Sequence, residues 1–250
     1  MPRYDFRTPR LFVTVALAPA ARLALDRAQT NYLVNVLRLK AGDPVLVFNG
    51  RDGEWRARLA VGPRKQAALA IAEQTRPQPA AGNLHYLFAP LKHARLDYMV
   101  QKAVEMGATR LQPVLTRHTQ AERINIKRMQ ANAIEAAEQC GILSIPEIGE
   151  AVALGSAIAA LEPSRLLVFC DEDAEVKDPM AALAVIRRAD EPLPLAVLIG
   201  PEGGFTEDER AQLMRRPRVV RLSLGPRILR ADTAAVAALA LVGAVVGEWR

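Results

Sequence analysis

Leu195-Ala196-Val197-Leu198-Ile199 runs directly into Gly200-Pro201-Glu202-Gly203-Gly204-Phe205, and then into Thr206-Glu207-Asp208-Glu209. A short apolar run closed by glycine and proline has the length and composition of a strand buried on both faces. Thr206 and Glu209 have the spacing of a capping box, in which each satisfies a free backbone N–H at a helix start. Strand, glycine-rich loop and helix in that order form the repeating unit of an open α/β sheet. Such sheets bind ligands beyond the carboxyl ends of their strands. Glycine lets the backbone approach a ligand closely there. The loop is neither a GxGxxG fingerprint nor a phosphate loop, since no Gly-Lys-Ser/Thr follows.

The same texture extends outward on both sides. Leu84 to Ala89, Leu111 to Leu115, Leu166 to Cys170 and Val219 to Leu224 read as further apolar strands. Between the first two, Arg95 to Met106 is amphipathic. Leu96, Met99, Val100, Ala103 and Val104 share one face, Asp97, Gln101, Lys102 and Glu105 lie mostly opposite, and Gly107 ends the helix. Further helices are predicted from about Asn125 to Cys140 and from Thr233 onward. Alternation of this kind predicts a parallel sheet covered by helices on both faces. A second loop, Leu224-Gly225-Pro226-Arg227-Ile228-Leu229-Arg230-Ala231-Asp232-Thr233, also joins a strand to a helix, with Asp232 or Thr233 as the expected cap. It gathers two arginines and a carboxylate at a strand end.

Upstream the pattern changes. Residues 11–15, 44–48, 54–61 and 67–73 are short strand-like runs, separated by turn signals at Lys40–Asp43, Asn49-Gly50, Asp52-Gly53 and Gly62-Pro63. One helix, about Leu25 to Leu37, interrupts them. These features predict a small β-barrel over residues 1–75, a Pro- and Gly-containing linker over 76–83 and an α/β domain over 84–250. The formal net charge is +6, and residues 1–75 hold 12 Lys+Arg against 6 Asp+Glu, while the remainder holds 21 against 21. The whole excess therefore falls in the barrel, which suits a polyanionic partner. Two distant cysteines, Cys140 and Cys170, argue against a disulfide framework and for a reducing cytoplasm, and both are expected to be buried small hydrophobes. His85, His93 and His118 lack metal-ligand spacing, so no metal is expected. The apolar run from Ala234 to Gly247 is too short for a membrane span, which needs about 20 residues.

The strings LIGPEGGFTEDE (198–209) and LSLGPRILRADTAAVAAL (222–239), taken in this order, resemble the RsmE family, the 16S ribosomal RNA uridine-N3 methyltransferases of the SPOUT superfamily. The resemblance extends along nearly the whole chain. It includes Lys92 through Asp97, Gln101-Lys102, Glu105-Met106-Gly107, and Glu135 through Gly141. In the basic part it includes Pro9 through Phe12, Val36-Leu37-Arg38, and Gly42-Asp43 through Phe48-Asn49-Gly50.

The resemblance implies a PUA-like β-barrel followed by a SPOUT α/β-knot domain, with a C-terminal trefoil knot that cradles S-adenosyl-L-methionine. Leu198, Gly200, Glu202 and Gly203 would line one side of the cofactor. Leu222, Leu224, Gly225, Ile228, Leu229 and Thr233 would line the other. Arg230 and Asp232 are the candidate electrostatic partner and proton acceptor for methylation at uracil N3. Arg10, Arg38, Lys92 and Arg95 are the candidate RNA contacts. The implied partners are 16S rRNA or the small ribosomal subunit and a second copy of the chain; the closing apolar helix is a candidate for that contact. Three positions depart from the family pattern: Asp232 replaces a longer Glu, Ile142 replaces Arg, and Asn31 replaces His. The competing readings are a SPOUT methyltransferase acting on another RNA and a non-catalytic RNA-binding assembly factor.

Overall fold

The computed structural model describes residues 5–62, 66–92, 94–120, 123–186 and 193–249; Pro63 and His93 of the motifs above fall outside them. The chain divides into two compact units. The first takes residues up to Ala80 together with 137–145, and the second takes 81–136 and 146 onward. The division thus crosses the chain inside a helix as well as at the linker.

In the first unit, β1 (Arg10–Phe12), β2 (Arg22–Ala24), β3 (Pro44–Phe48), β4 (Glu54–Val61) and β5 (Ala67–Arg76) form one sheet in the order β1-β3-β4-β5-β2. β1 runs parallel to β3 and the other neighbours are antiparallel. Side chains alternate across such a sheet, so Trp55, Ala57 and Leu59 of β4 face the core while Arg58 is exposed. Asp26 and Gln29 close a capping box on α1 (Arg27–Thr30), which runs into a π-helical turn over Asn31–Val36. That turn places Leu33, fully buried, in the core formed by Val45, Val47, Leu59 and Leu69. The three-residue β2 carries too few residues for a periodic signal.

The buried carboxylate of Glu54 organises one side of this unit. It accepts from Arg10 Nε at 2.9 Å, Arg76 Nη2 at 2.7 Å and Thr75 Oγ1 at 2.8 Å. Arg76 Nη2 also donates to the Gly141 carbonyl at 2.9 Å, and the Phe12 N–H donates to Glu138 Oε1 at 2.8 Å. The Glu135–Gly141 motif therefore anchors the end of α3 (Ile126–Cys140) within the first unit. Two expectations are corrected here. Arg10 is only 5% exposed and its charge is matched by Glu54, which removes it from the candidates for RNA contact. Cys140, the last residue of α3, is exposed and not buried.

In the second unit, β6 (Leu84–Phe88), β7 (Arg110–Leu115), β10 (Leu166–Cys170), β11 (Leu195–Ile199) and β12 (Val219–Leu222) pair in parallel in the order β12-β10-β11-β6-β7. The two-residue strands β8 (Glu147–Ile148) and β9 (Val152–Ala153) add to β7. Helices α2 (Ala94–Glu105), α4 (Leu154–Ala159), α5 (Pro179–Ala184), α6 (Glu207–Met214) and α7 (Ala231–Val245) complete the unit. Leu87, Leu198 and Phe169 lie in register across three strands and pack with α4 and with Leu213 of α6. Tyr86, Val197 and Val168 have the opposite parity; the Tyr86 hydroxyl donates to Met99 Sδ of α2 at 3.0 Å. Both sheet faces are covered, so all five residues of β11 are buried. His85 sits on β6, where burial and then Arg165 push its imidazole down to about 4. Among the described residues no helix is long and apolar enough to cross a membrane.

Removing the Glu54 carboxylate leaves Arg10 and Arg76 half-buried or buried without their counterion. Glu54→Ala is expected to destabilise the protein by about 3–5 kcal/mol, read from urea unfolding followed by Trp55 fluorescence. A loss below about 1 kcal/mol, the scale of a surface pair, contradicts this assignment. Burial raises the Glu54 pKa, but Arg76, Thr75 and Arg10 outweigh it and hold it below the ordinary glutamate value. The stabilisation is therefore complete above the ordinary glutamate range and is lost as pH falls through the lower folded value.

Candidate active site

β10, β11 and β12 are parallel neighbours, so the loops leaving them emerge at one edge of the sheet. The loops after β11 and β12 form the two walls of a cleft of about 170 Å³. Ile199, Gly200, Pro201, Glu202, Gly204 and Phe205 line one wall. Leu222, Leu224, Gly225, Arg227, Ile228 and Leu229 line the other. The end of β10 contributes Cys170, Asp171 and Glu172, and α7 contributes Ala231 and Ala234.

Local chemistry fixes each wall. On the first, Thr206 N donates to Glu209 Oε2 at 2.9 Å and Glu209 N donates to Thr206 Oγ1 at 3.3 Å, the capping box anticipated from sequence. Phe205 folds back beneath the loop against Phe169, edge to face at 6.0 Å. A Cβ on Gly200 would meet the Phe205 ring at 2.9 Å, so only glycine lets the loop close over that ring. On the second wall Gly225 has φ +97°, a conformation that other residues adopt only with strain.

The cleft floor rests on Asp171, whose side chain is wholly buried. It accepts from Arg210 Nε and Arg221 Nε, each at 2.9 Å, and its N–H donates to the Leu222 carbonyl at 3.0 Å. Burial raises its pKa, but the hydrogen bond from Arg210 and the charges of Arg210 and Arg221 bring it below the ordinary aspartate value. Arg210 also pairs with Glu172, Asp173 and Glu207, so one guanidinium is shared among four carboxylates around the end of β10. Burial pushes the Cys170 thiol up to about 12, with Asp171 adding to the effect, which makes it a poor nucleophile.

The outer side of the first wall is braced from β7 and α2. His118 Nδ1 donates to the carbonyls of Gly203 at 2.9 Å and Gly204 at 3.2 Å. Both partners are acceptors only, so this nitrogen carries the proton. Arg117 N donates to Glu209 Oε1 at 2.9 Å and Arg95 Nη1 to Glu202 Oε1 at 3.3 Å.

Of the residues expected around the cofactor, Gly200, Glu202, Leu222, Leu224, Gly225, Ile228 and Leu229 border the cleft. Leu198 instead lies fully within the core, because β11 is buried on both faces. Gly203 lines a separate recess on the outer side of the loop. Thr233 is exposed and absent from the cleft lining, where the inward positions of α7 are Ala231 and Ala234. Arg230 is the N-cap of α7 and makes no side-chain cap bond, so neither Asp232 nor Thr233 caps that helix. Asp232 lies in its first turn, with Oδ1 accepting from Thr233 N at 3.0 Å. Neither Arg230 nor Asp232 lines the cleft; Ala231 between them does. Arg38, at φ +57°, is exposed in the first unit, and Lys92 and Arg95 are exposed in the second. Asp171, Glu172 and His118 were not anticipated, although each follows the carboxyl end of an apolar strand, as the strand-end rule requires.

The chain matches two family models: an RNA methyltransferase PUA domain over residues 25–72 and an RNA methyltransferase domain over residues 77–243. It is 29% identical to ribosomal RNA small subunit methyltransferase E of Rickettsia conorii, covering 93% of this chain and 94% of that protein. It is 31% identical to the enzyme of the same name from Synechocystis sp., covering 95% and 78%. The crystal structure of ribosomal RNA small subunit methyltransferase E from Neisseria gonorrhoeae, bound to S-adenosyl methionine, superposes with a TM-score of 0.82 at 25% identity, covering 98% of this chain and all of that one.

Proposed function

The chain belongs to the ribosomal RNA small subunit methyltransferase E family, and from that membership we propose that it transfers a methyl group from S-adenosylmethionine to N3 of a uridine in small-subunit (16S) ribosomal RNA. Its fold is that of the family, a PUA-like domain followed by a SPOUT α/β methyltransferase domain. The observation that carries the proposal is the chemistry of the cleft. Its middle is apolar, lined by Ile199, Leu222, Leu224, Leu229, Ala231 and Ala234, which suits a flat adenine ring. Glu172 and Glu202 stand in the same lining and suit the positive charges of a sulfonium and an ammonium group. These residues fit the cofactor and would hold it. When bound, it supplies an electrophilic methyl group.

The remaining work falls to the protein. Holding the acceptor nitrogen in line with the methyl group supplies much of the rate. The uracil imide must lose its proton, so a cation beside the resulting anion lowers the barrier. Arg230 and Asp232 flank the cleft-lining Ala231 and are the proposed electrostatic partner and proton acceptor. Uracil N3 lies on the base-pairing edge, so the target must be unpaired or extruded when it reacts. Arg38, Lys92 and Arg95 are the proposed phosphate contacts. Activity on this RNA requires access to ribosomes, hence a proposed cytoplasmic location.

Mass spectrometry of 16S rRNA from cells lacking the gene tests the reaction. The expected result is loss of a single N3-methyluridine, restored by the wild-type gene; an unchanged modification profile refutes the assignment.

A homodimer is proposed on a separate observation. Ile228 is 94% exposed, and Val236, Ala237, Ala240 and Leu241 leave an apolar strip of α7 partly open. Exposed apolar surface of this kind is characteristic of an interface. Light scattering is expected to give twice the 27.3 kDa chain mass, and a lower mass for Ile228→Asp. A wild-type mass of one chain removes the dimer.

A further inference from the structure

The acceptor nitrogen must come within about 3–3.5 Å of the methyl group, so the nucleotide subsite must adjoin the donor cleft. One recess does so among the described residues. It is a shallow, open recess of about 420 Å³ lined by Arg117, His118, Thr119, Gln120 and Gly203. The two spaces meet along the Gly200–Phe205 loop: Gly203 borders the recess while Glu202 and Gly204 border the cleft.

Charge differs across that loop. The cleft lining includes Arg227 and three acids that arginines already meet: Asp171 by Arg210 and Arg221, Glu172 by Arg210 and Glu202 by Arg95. The recess lining includes Arg117 and His118 and, among the described residues, no carboxylate. Glu209, which meets Arg117 N, has both oxygens engaged, Oε1 by Arg117 N and Oε2 by Thr206 N. The recess thus favours a polyanionic strand. Gln120 is exposed, and its amide N–H can donate to a uracil carbonyl while leaving N3 free.

We propose that this recess is the subsite for the acceptor nucleotide of the RNA, with Arg117 contacting a phosphate and His118 acting as a positioning residue that fixes the shared wall. The His118 ring does so through its Nδ1–H bonds to the Gly203 and Gly204 carbonyls. This inference rests on reading the cleft as the methyl-donor site.

The test compares wild type, Arg117→Gln, His118→Ala and His118→Asn. The measurements are binding to unmethylated small ribosomal subunits over a salt series, binding of S-adenosylmethionine, thermal melting and turnover. Arg117→Gln is expected to weaken subunit binding severalfold and to reduce the slope of log K against log salt by about one, with donor affinity and melting retained. His118→Ala is expected to lower kcat at saturating RNA. His118→Asn, whose amide N–H can replace the Nδ1–H donor, is expected to restore most of it. If the wild type methylates and Arg117→Gln keeps the wild-type affinity and slope, the subsite is wrong while the methyltransferase reading stands. If His118→Ala turns over at the wild-type rate, His118 is not a positioning residue. A wild-type protein that binds neither donor nor subunit removes the reading of the cleft, and the subsite with it.

Discussion

A buried carboxylate at a strand end holds the candidate active site together. Asp171 receives Arg210 from α6 and Arg221 from β12, and its own backbone pairs with Leu222. Those bonds connect the three elements whose loops make the cleft. An ionised carboxylate away from water is costly unless it is fully paired, and here two guanidinium groups meet it. The arrangement therefore fixes the loops only when β10, β12 and α6 are all in place. The walls then follow from packing: Phe205 folds over Phe169 on one side, and Gly225 turns the chain with a positive φ on the other.

A comparable device operates in the first unit, where Glu54 collects Arg10 and Arg76 and secures the end of α3 through Gly141. The basic excess of residues 1–75 is thus not all available to a partner. Arg10 is consumed internally, whereas Arg38 remains exposed. Charge counted along a sequence measures a module's total, and only the fold separates paired from free cations.

Much of the architecture was legible because its signals are local. β10 and β11 occupy the runs read as apolar strands, since a strand buried on both faces leaves an unbroken hydrophobic string. The Thr206–Glu209 capping box was legible for the same reason. What escaped was short or depended on distant partners. β8, β9 and α4 have too few residues to show a period. The roles of Arg10, Asp171 and His118 depend on residues 44, 39 and 85 positions away. Leu198 and Thr233, which the resemblance implies as cofactor contacts, lie outside the cleft lining, Leu198 in the core and Thr233 exposed on α7.

The central claim is that the cleft between the two strand-end loops holds the methyl donor. Calorimetric titration of S-adenosylmethionine into the wild-type protein and Gly225→Val tests it most directly. Saturable binding by the wild type, weakened at least about tenfold (roughly 1.4 kcal/mol) in a Gly225→Val protein that melts normally, is the predicted result. Equal affinity in the two proteins, or no binding by the wild type, contradicts the claim.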